Sequence, residues 1–154
     1  MTMTIKTKIP PPVITLISGV GMWFVAKSPF GAITSSDYQP ILVVFFAAAG
    51  IVIAATALSQ FRSASTTINP HRLENTTSLV RTGIFAYSRN PMYVGLVLIL
   101  AAWAVWLGSI TNLFVIALFV LSITELQIKP EEGVLEKLFG DDYENYRNSV
   151  RRWI

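Results

Sequence analysis

The sequence predicts an all-α integral membrane protein with about four transmembrane helices, a C-terminal helical hairpin and an amphipathic helical tail. Three observations predict this. Hydrophobic residues make up 53% of the chain and charged residues only 14%, long apolar segments recur along its length, and basic residues collect at alternate connections between them. Such a composition is typical of membrane proteins. The length of 154 residues is that of one domain, which we assign to residues 1–154.

The first two apolar segments differ in how firmly they predict a transmembrane helix. Residues 12–27 are few for a span, which usually needs about 20 residues. A signal peptide is the alternative, with Lys6 and Lys8 in front of its apolar part, but no convincing cleavage site follows and a retained helix is favoured. Residues 40–61 are long enough to span outright, and their alanine-rich middle offers a smooth face to another helix.

The other two apolar segments, residues 91–107 and 110–128, are separated only by Gly108 and Ser109. So short a connection predicts a tight antiparallel hairpin. The start of the third helix and the end of the fourth should therefore lie on the same side of the membrane.

The distribution of basic residues predicts the orientation. They precede the first helix, occupy the loop 62–90 and follow the fourth helix in the tail 129–154, whereas the opposite side keeps only Lys27. By the positive-inside rule both termini, the loop and the tail are cytoplasmic, and we expect a bacterial inner-membrane protein. The loop contains Asn69-Pro70-His71 and a threonine-rich stretch, which indicate an ordered loop or a short strand.

The tail is predicted to form two short helices. Apolar residues recur at helical spacing before Gly140, which should end the first helix, and Asp141 is a candidate cap for a second one toward Asn148. An apolar and partly aromatic side of the second helix could lie at the bilayer surface. Its members are Tyr143, Tyr146, Val150 and Trp153.

The composition also excludes several classes of function. The chain has no cysteine and one histidine, His71, so disulfides, thiolate metal sites and cysteine nucleophiles are ruled out and we predict no metal centre. The net charge of +3 is modest and is not gathered into a dense stripe, which argues against a nucleic-acid partner. The expected partners are the lipid bilayer and an anionic or lipophilic small molecule.

A polar hexad, SRNPMY, stands at the start of the third helix. Pro91 suits the first helical turn, and Ser88 or Asn90 would cap it. The free N–H groups of that turn and the Arg89 guanidinium would favour an anion. The alternative is that Arg89 is a topology anchor, with Tyr87 and Tyr93 as ordinary interfacial aromatics.

Carboxylates follow the fourth helix, and the hairpin brings them near the hexad. Glu125, Glu131 and Glu132 should face Arg89 and Asn90 across a short gap. Such an arrangement is either a structural ion pair, which for Glu125 is as good an interpretation as a ligand role, or a site for a zwitterion with its carboxylate at the helix start and its ammonium at the glutamates.

These segments resemble a known family. The run TGIFAYSRNPMYVG (82–95), the hairpin, and EEGVLEKLFGDDYENYRNSVRRW (131–153) resemble the isoprenylcysteine carboxyl methyltransferase family and the related phospholipid methyltransferases. That family's pattern is R-H-P-x-Y, a hydrophobic stretch, a double glutamate, F-G-x-x-Y-x-x-Y and a basic end. The resemblance covers roughly the C-terminal half, and the spelling of the hexad is closest to the short bacterial members.

The resemblance implies methyl transfer from S-adenosylmethionine to a lipophilic or lipid-anchored acceptor at the cytoplasmic face. It implies that Arg89 and Glu132 are catalytic, and that Tyr143 and Tyr146 either pack the tail over the cofactor or anchor it at the interface. The cofactor-binding residues would be Tyr87, Arg89, Asn90, Pro91, Tyr93, Glu131, Glu132 and Tyr143.

One departure from the family pattern bears on the acceptor. Asn90 replaces the histidine of the eukaryotic members and cannot take a proton near neutral pH. An isoprenylcysteine-like carboxylate needs no base, whereas a phospholipid amine or a small hydrophobic thiol would need Glu131, Glu132 or water. Two other classes of function stay open: an NADPH-dependent protein similar to sterol reductases, and a non-enzymatic membrane subunit whose Arg89 pairs only with the glutamates.

Overall fold

The structure is a computed structural model that describes residues 9–31, 36–63 and 78–154. Within these ranges the chain forms helices and turns and no β-strand, in agreement with the predicted all-α class. The basic residues Lys6, Lys8 and Arg72, the Asn69-Pro70-His71 segment and the threonine-rich stretch lie outside the described residues.

Six α-helices follow one another along the described chain. The 3₁₀ turn Gly83–Ala86 precedes the third helix, and a π-helical turn, Thr124–Ile128, joins the fourth helix to the fifth. The helices are α1 (Pro11–Lys27), α2 (Gln39–Ser63), α3 (Pro91–Trp106), α4 (Asn112–Ile123), α5 (Lys129–Phe139) and α6 (Asp141–Ser149).

Two of these helical stretches are long and apolar enough to cross a membrane. They are α2 and the continuous helix Asn112–Phe139, whose 28 residues comprise α4, the π turn and α5. The fourth helix therefore continues beyond Ile128, where the predicted segment 110–128 ends, and Pro130 follows directly on the π turn. α1 and α3 are apolar but shorter, and four membrane spans remain a prediction.

Hydrogen bonds at both ends of the bundle define antiparallel neighbours. At one end, Gln39 on α2 donates to the Val105 carbonyl at 2.7 Å, and Thr111 donates to the Phe30 carbonyl at 2.9 Å. At the other end, Gln127 donates to the Ile9 carbonyl at 2.6 Å. The start of α1, the end of α2, the start of α3 and the end of α4 thus lie together, and the last two were predicted to do so from the hairpin. We refer to this as the site end.

The closest helix packing joins α2 to α3 at two glycines. A Cβ atom added to Gly50 would lie 2.8 Å from the Gly95 carbonyl oxygen, and one added to Gly95 would lie 2.8 Å from the Gly50 carbonyl oxygen. Small residues permit such a backbone approach between helices in a membrane. α3 is therefore the partner for the alanine-rich middle of α2, where Ala54 also contacts Gly95.

The tail folds back onto the site end of the bundle. Tyr143 is only 1% exposed and Tyr146 is also buried, in a cluster with Ala57 and Phe85; the Tyr146 hydroxyl donates to the Phe85 carbonyl at 2.7 Å. The expectation that these tyrosines lie at the bilayer surface is therefore wrong. An aromatic stripe on a short helix packs equally well on protein, and here the 3₁₀ turn and α2 provide that partner.

The break between α5 and α6 occurs at the predicted glycine. Gly140 has a φ of 50°, a left-handed conformation that glycine adopts without steric cost. Gly140 itself occupies the cap position and α6 begins at Asp141, with no side-chain cap. The prediction that Asp141 caps this helix is therefore wrong by one residue, because Gly140 is the cap.

Candidate active site

A cavity of about 500 Å³ opens at the site end of the bundle. Its walls come from the start of α1, the end of α2, the loop before α3, the start of α3, and α5 and α6. Seven of the residues predicted to bind the cofactor line it. They are Arg89, Asn90, Pro91, Tyr93, Glu131, Glu132 and Tyr143.

The eighth predicted residue, Tyr87, is not brought to the cavity. Its side chain is 80% exposed, and it is not among the lining residues of the cavity. Tyr87 lies at the end of the 3₁₀ turn, where the neighbouring Phe85 is the buried residue. Glu125 also lies apart from the cavity lining and forms an exposed ion pair with Lys129, not the predicted pair with Arg89.

Glu132 is the centre of an ion triad. The Arg89 Nη1 atom lies 3.0 Å from Glu132 Oε1, with the two side chains 8% and 13% exposed. Arg152 donates twice to the same carboxylate, from Nε to Oε1 at 2.9 Å and from Nη2 to Oε2 at 2.7 Å. This two-pronged geometry is the strong form of an arginine–carboxylate contact. Glu132 is therefore held by two guanidinium groups.

Arg89 keeps hydrogen-bonding capacity beyond the triad. Its Nη1 also donates to the Tyr143 hydroxyl at 3.2 Å, and its backbone N–H donates to the Arg151 carbonyl at 3.0 Å. Its buried Nε has no hydrogen-bond partner among the described residues. A buried guanidinium N–H without a partner is costly.

Glu131 provides a separate acidic group on the cavity wall. The Tyr93 hydroxyl, on the first turn of α3, donates to Glu131 Oε1 at 2.7 Å. Glu131 is half-buried and lines the cavity together with Tyr93. Unlike Glu132, its carboxylate takes part in no arginine or lysine ion pair within the described part of the chain. Glu131 is therefore the carboxylate best placed to accept a cationic group.

Asn90 occupies the position just before α3, but its side chain does not cap the helix. Instead, Asn90 Nδ2 donates to the Arg152 carbonyl at 2.9 Å, and the Asn90 backbone N–H donates to Ser88 Oγ at 3.1 Å. The expected capping by Ser88 or Asn90 is thus replaced by a contact to the C-terminal segment.

The environment keeps Tyr143 and Tyr146 neutral and Arg152 charged. Burial raises the pKa of the Tyr143 hydroxyl and Glu132 raises it further, while Arg89 opposes them. Burial likewise raises the pKa of Tyr146. The hydrogen bond to Glu132 raises the pKa of Arg152. Tyr143 is therefore a neutral hydrogen-bonding group beside a permanently charged guanidinium.

Arg152 is the residue of this site that the sequence did not identify. It lies 20 positions after Glu132, and no local pattern brings the two together. Besides the Arg152–Glu132 bonds, three contacts hold the C-terminal segment: the two bonds from Arg89 and Asn90 to the carbonyls of residues 151 and 152, and a bond from Trp153 Nε1 to Thr124 Oγ1 at 3.3 Å. The basic end of the family pattern was the one available signal.

The described helices define a small helical membrane protein with this charged cavity at one end of its bundle. The profile of the phospholipid methyltransferase family matches residues 38–142, from the turn before α2 into the start of α6. The chain therefore belongs to the phospholipid methyltransferase family, which makes it a methyltransferase by class. The resemblance seen in the hexad and the double glutamate is confirmed at the level of the family.

Two relatives match parts of the chain. An uncharacterized protein of Haemophilus influenzae is 46% identical over 63 residues, which are 41% of this chain and all of that protein. The protein-S-isoprenylcysteine O-methyltransferase of Schizosaccharomyces pombe is 36% identical over 72 residues, which are 47% of this chain and 30% of that enzyme. The matched part is thus less than a third of the yeast enzyme's length. No solved structure matches the chain significantly.

Proposed function

We propose that the protein transfers a methyl group from S-adenosylmethionine to a lipophilic or lipid-anchored acceptor. The observation that carries this proposal is that the Arg89 guanidinium and the Glu131 carboxylate, which accepts a hydrogen bond from Tyr93, line the same cavity. A donor and an acceptor on facing elements suit the carboxylate and the ammonium of an amino-acid head group.

The cavity fits such a cofactor in size and in character. Its volume of about 500 Å³ lies within the range of roughly 300–1,000 Å³ that is usual for small-molecule sites. Beside the polar groups its wall is apolar and aromatic, which suits a purine and ribose. The apolar lining includes Phe61, Val80, Phe85, Met92 and Leu135.

The residues of the site would act by binding and alignment. S-adenosylmethionine supplies a methyl group on a sulfonium, and in-line attack by a nucleophile neutralises that charge. Arg89 would fix the carboxylate of the head group and Glu131 its ammonium, while Tyr143 and Tyr146 pack under the tail and exclude water. Positioning and desolvation of this kind are the main help that a protein can give to such a displacement.

The acceptor that we favour is a carboxylate of the isoprenylcysteine type. The Asn90 side chain is committed to the Arg152 carbonyl and cannot take up a proton near neutral pH, so an acceptor that is already ionised suits the site best. The name of the yeast relative, a protein-S-isoprenylcysteine O-methyltransferase, supports the same class. A phospholipid amine or a hydrophobic thiol is the alternative, with Glu131 as the base.

A purely structural role would require the charged groups to satisfy only one another. Arg89 does pair with Glu132, but it also lines the cavity, and so does Glu131, which pairs with no arginine or lysine among the described residues. These two groups argue for a ligand. The family match favours methyl transfer over a nicotinamide-dependent reduction.

We further propose four membrane spans, α1, α2, α3 and α4, with the site end in the cytoplasm of a bacterium. Basic residues are concentrated at the site end: Arg62, Arg81, Arg89, Lys129 and Arg152. The opposite end carries Lys27 and Asp37. This asymmetry follows the positive-inside rule.

Calorimetry on the detergent-solubilised full chain tests the proposal. Binding of S-adenosylhomocysteine without binding of NADPH is expected. NADPH binding would point to a reductase, and no heat with either ligand would point to a non-enzymatic subunit. Transfer of a labelled methyl group to N-acetyl-S-farnesylcysteine, compared with phosphatidylethanolamine and a hydrophobic thiol, then distinguishes the acceptors.

A further inference from the structure

Arg152 does not line the cavity, yet its guanidinium makes the two shortest contacts to Glu132. We propose that Arg152 is a positioning residue: it neutralises Glu132, so that the charge of Arg89 stays available for the carboxylate of a bound ligand. This inference rests on the proposed function, because it concerns the amino-acid head of the cofactor.

The charges of the four groups support this role. Arg89 and Glu132 alone would form a buried neutral pair, because their opposite charges lie 3.0 Å apart. With Arg152 bound to both oxygens of Glu132, the triad carries one net positive charge. An ionised Glu131, which also lines the cavity, would carry the balancing negative charge. The four groups then match a zwitterion.

The geometry allows Arg152 to act only through its neighbours. The Glu132 carboxylate is occupied on both oxygens by the Arg152 guanidinium, so it cannot also accept a ligand ammonium without losing one of those bonds. Arg89 meets the same carboxylate through Nη1 and leaves Nε unpaired. Without Arg152, a less satisfied Glu132 would attract Arg89 more strongly and would compete with an incoming carboxylate.

The C-terminal segment brings Arg152 to this position. The Asn90 side chain binds its carbonyl, and the Arg89 backbone N–H binds the carbonyl of Arg151. Both donors belong to the hexad at the start of α3. The placement of Arg152 is thus coupled to the segment that forms the cationic wall of the cavity.

A mere staple for the C-terminus would have different consequences. If Arg152 only anchored the C-terminal segment, its loss should weaken the binding of all ligands alike. If it neutralises Glu132, its loss should weaken the binding of only those ligands that carry a carboxylate. The two probes are S-adenosylhomocysteine and its decarboxylated analogue, which keeps the adenosine, the thioether and the amine. The measured quantity is the ratio of their dissociation constants.

The variant that tests the charge is Arg152→Gln in the full chain. We expect S-adenosylhomocysteine to bind about tenfold more weakly, as for loss of a charge-assisted contact, and the analogue to change by less than about threefold. Arg151→Gln is the matched control, because that side chain is exposed and the same charge is removed. It should leave the ratio unchanged.

Two more variants separate charge from folding. In a Glu132→Gln/Arg152→Gln double variant the Arg89 charge is again unopposed, so the preference for the carboxylate-bearing ligand should return. Arg152→Lys keeps the positive charge but loses the paired hydrogen bonds to Glu132. Its preference for S-adenosylhomocysteine over the decarboxylated analogue should stay within about threefold of the wild-type value even if stability falls. This variant carries the test if Arg152→Gln does not fold.

The outcomes are decisive. An unchanged ratio in Arg152→Gln, an equal weakening of both probes, or a lost preference in Arg152→Lys would overturn the role of Arg152. A wild-type protein that binds neither probe would instead contradict the proposed function itself. The two failures are therefore distinguishable in one set of titrations.

Discussion

The Tyr93 hydroxyl donates a 2.7 Å hydrogen bond to Glu131 and so joins the first turn of α3 to the first turn of α5. The two residues come from the two ends of the hairpin and meet on one wall of the cavity. The bond fixes the orientation of a carboxylate that no described arginine or lysine pairs with. It also connects the two motifs, the hexad and the double glutamate, that carry the family resemblance.

Replacing Tyr93 by Phe should weaken cofactor binding while leaving the fold intact. The ring stays, but the carboxylate loses its orienting donor, and hydrogen bonds to charged groups contribute about 1.5–3 kcal/mol. We expect roughly a tenfold or greater loss of S-adenosylhomocysteine affinity by calorimetry. The matched control is Tyr87→Phe, since Tyr87 is 80% exposed and lies outside the cavity lining. Equal losses in both variants would contradict the role given to Glu131.

The two neighbouring glutamates should respond differently to substitution. Glu132→Ala leaves two guanidinium groups without their shared partner. Because breaking a buried ion pair costs about 3–5 kcal/mol and Arg152 is partly exposed, we expect a destabilisation near the lower end of that range. Glu131→Gln should lower affinity with little change in stability. Thermal unfolding in detergent, read beside ligand binding, gives both quantities.

The control for the stability measurement is Glu136→Gln. Glu136 pairs with Arg147 at 3.4 Å on an exposed surface, where ion pairs contribute less than about 1 kcal/mol. Its melting temperature should stay close to the wild-type value. A Glu132→Ala variant as stable as Glu136→Gln would show that the triad adds nothing to the fold.

Local sequence patterns predicted the helices and part of the candidate site. The apolar stretch of α2 and the two-residue connection after α3 leave few structural options, so the helices and the hairpin were predictable. The ends of the hairpin then brought Arg89 close to Glu131 and Glu132. Each of these inferences depends on local chain geometry.

The contacts of the tail depend on the path of the chain, which periodicity does not encode. A stripe containing Tyr143 and Tyr146 fits a bilayer surface and a protein core equally well, and only the position of Phe85 decides between them. The return of Arg152 to Glu132 requires a break at Gly140 and a defined angle between α5 and α6. The partner of Asn90 changed for the same reason.

A substitution at the crossing of α2 and α3 should separate the helices. In Gly95→Ala the new methyl group would approach the Gly50 carbonyl oxygen to 2.8 Å, and crowding of this kind typically costs about 1–3 kcal/mol. We expect a lower melting temperature in detergent. The control is Gly19→Ala on α1, where nothing lies within 4 Å of the added atom. A Gly95→Ala variant at least as stable as this control would contradict the close packing.

The orientation can be tested directly because the chain has no cysteine and accepts single reporter residues without further changes. Asp37→Cys lies just before α2, and Asp142→Cys lies at an exposed position of α6. With α1 to α4 spanning and the site end in the cytoplasm, a membrane-impermeant maleimide should label position 37 in intact cells and position 142 only after the membrane is opened. Labelling of both positions from the same side would rule out an odd number of spans between them and would overturn the four-span arrangement.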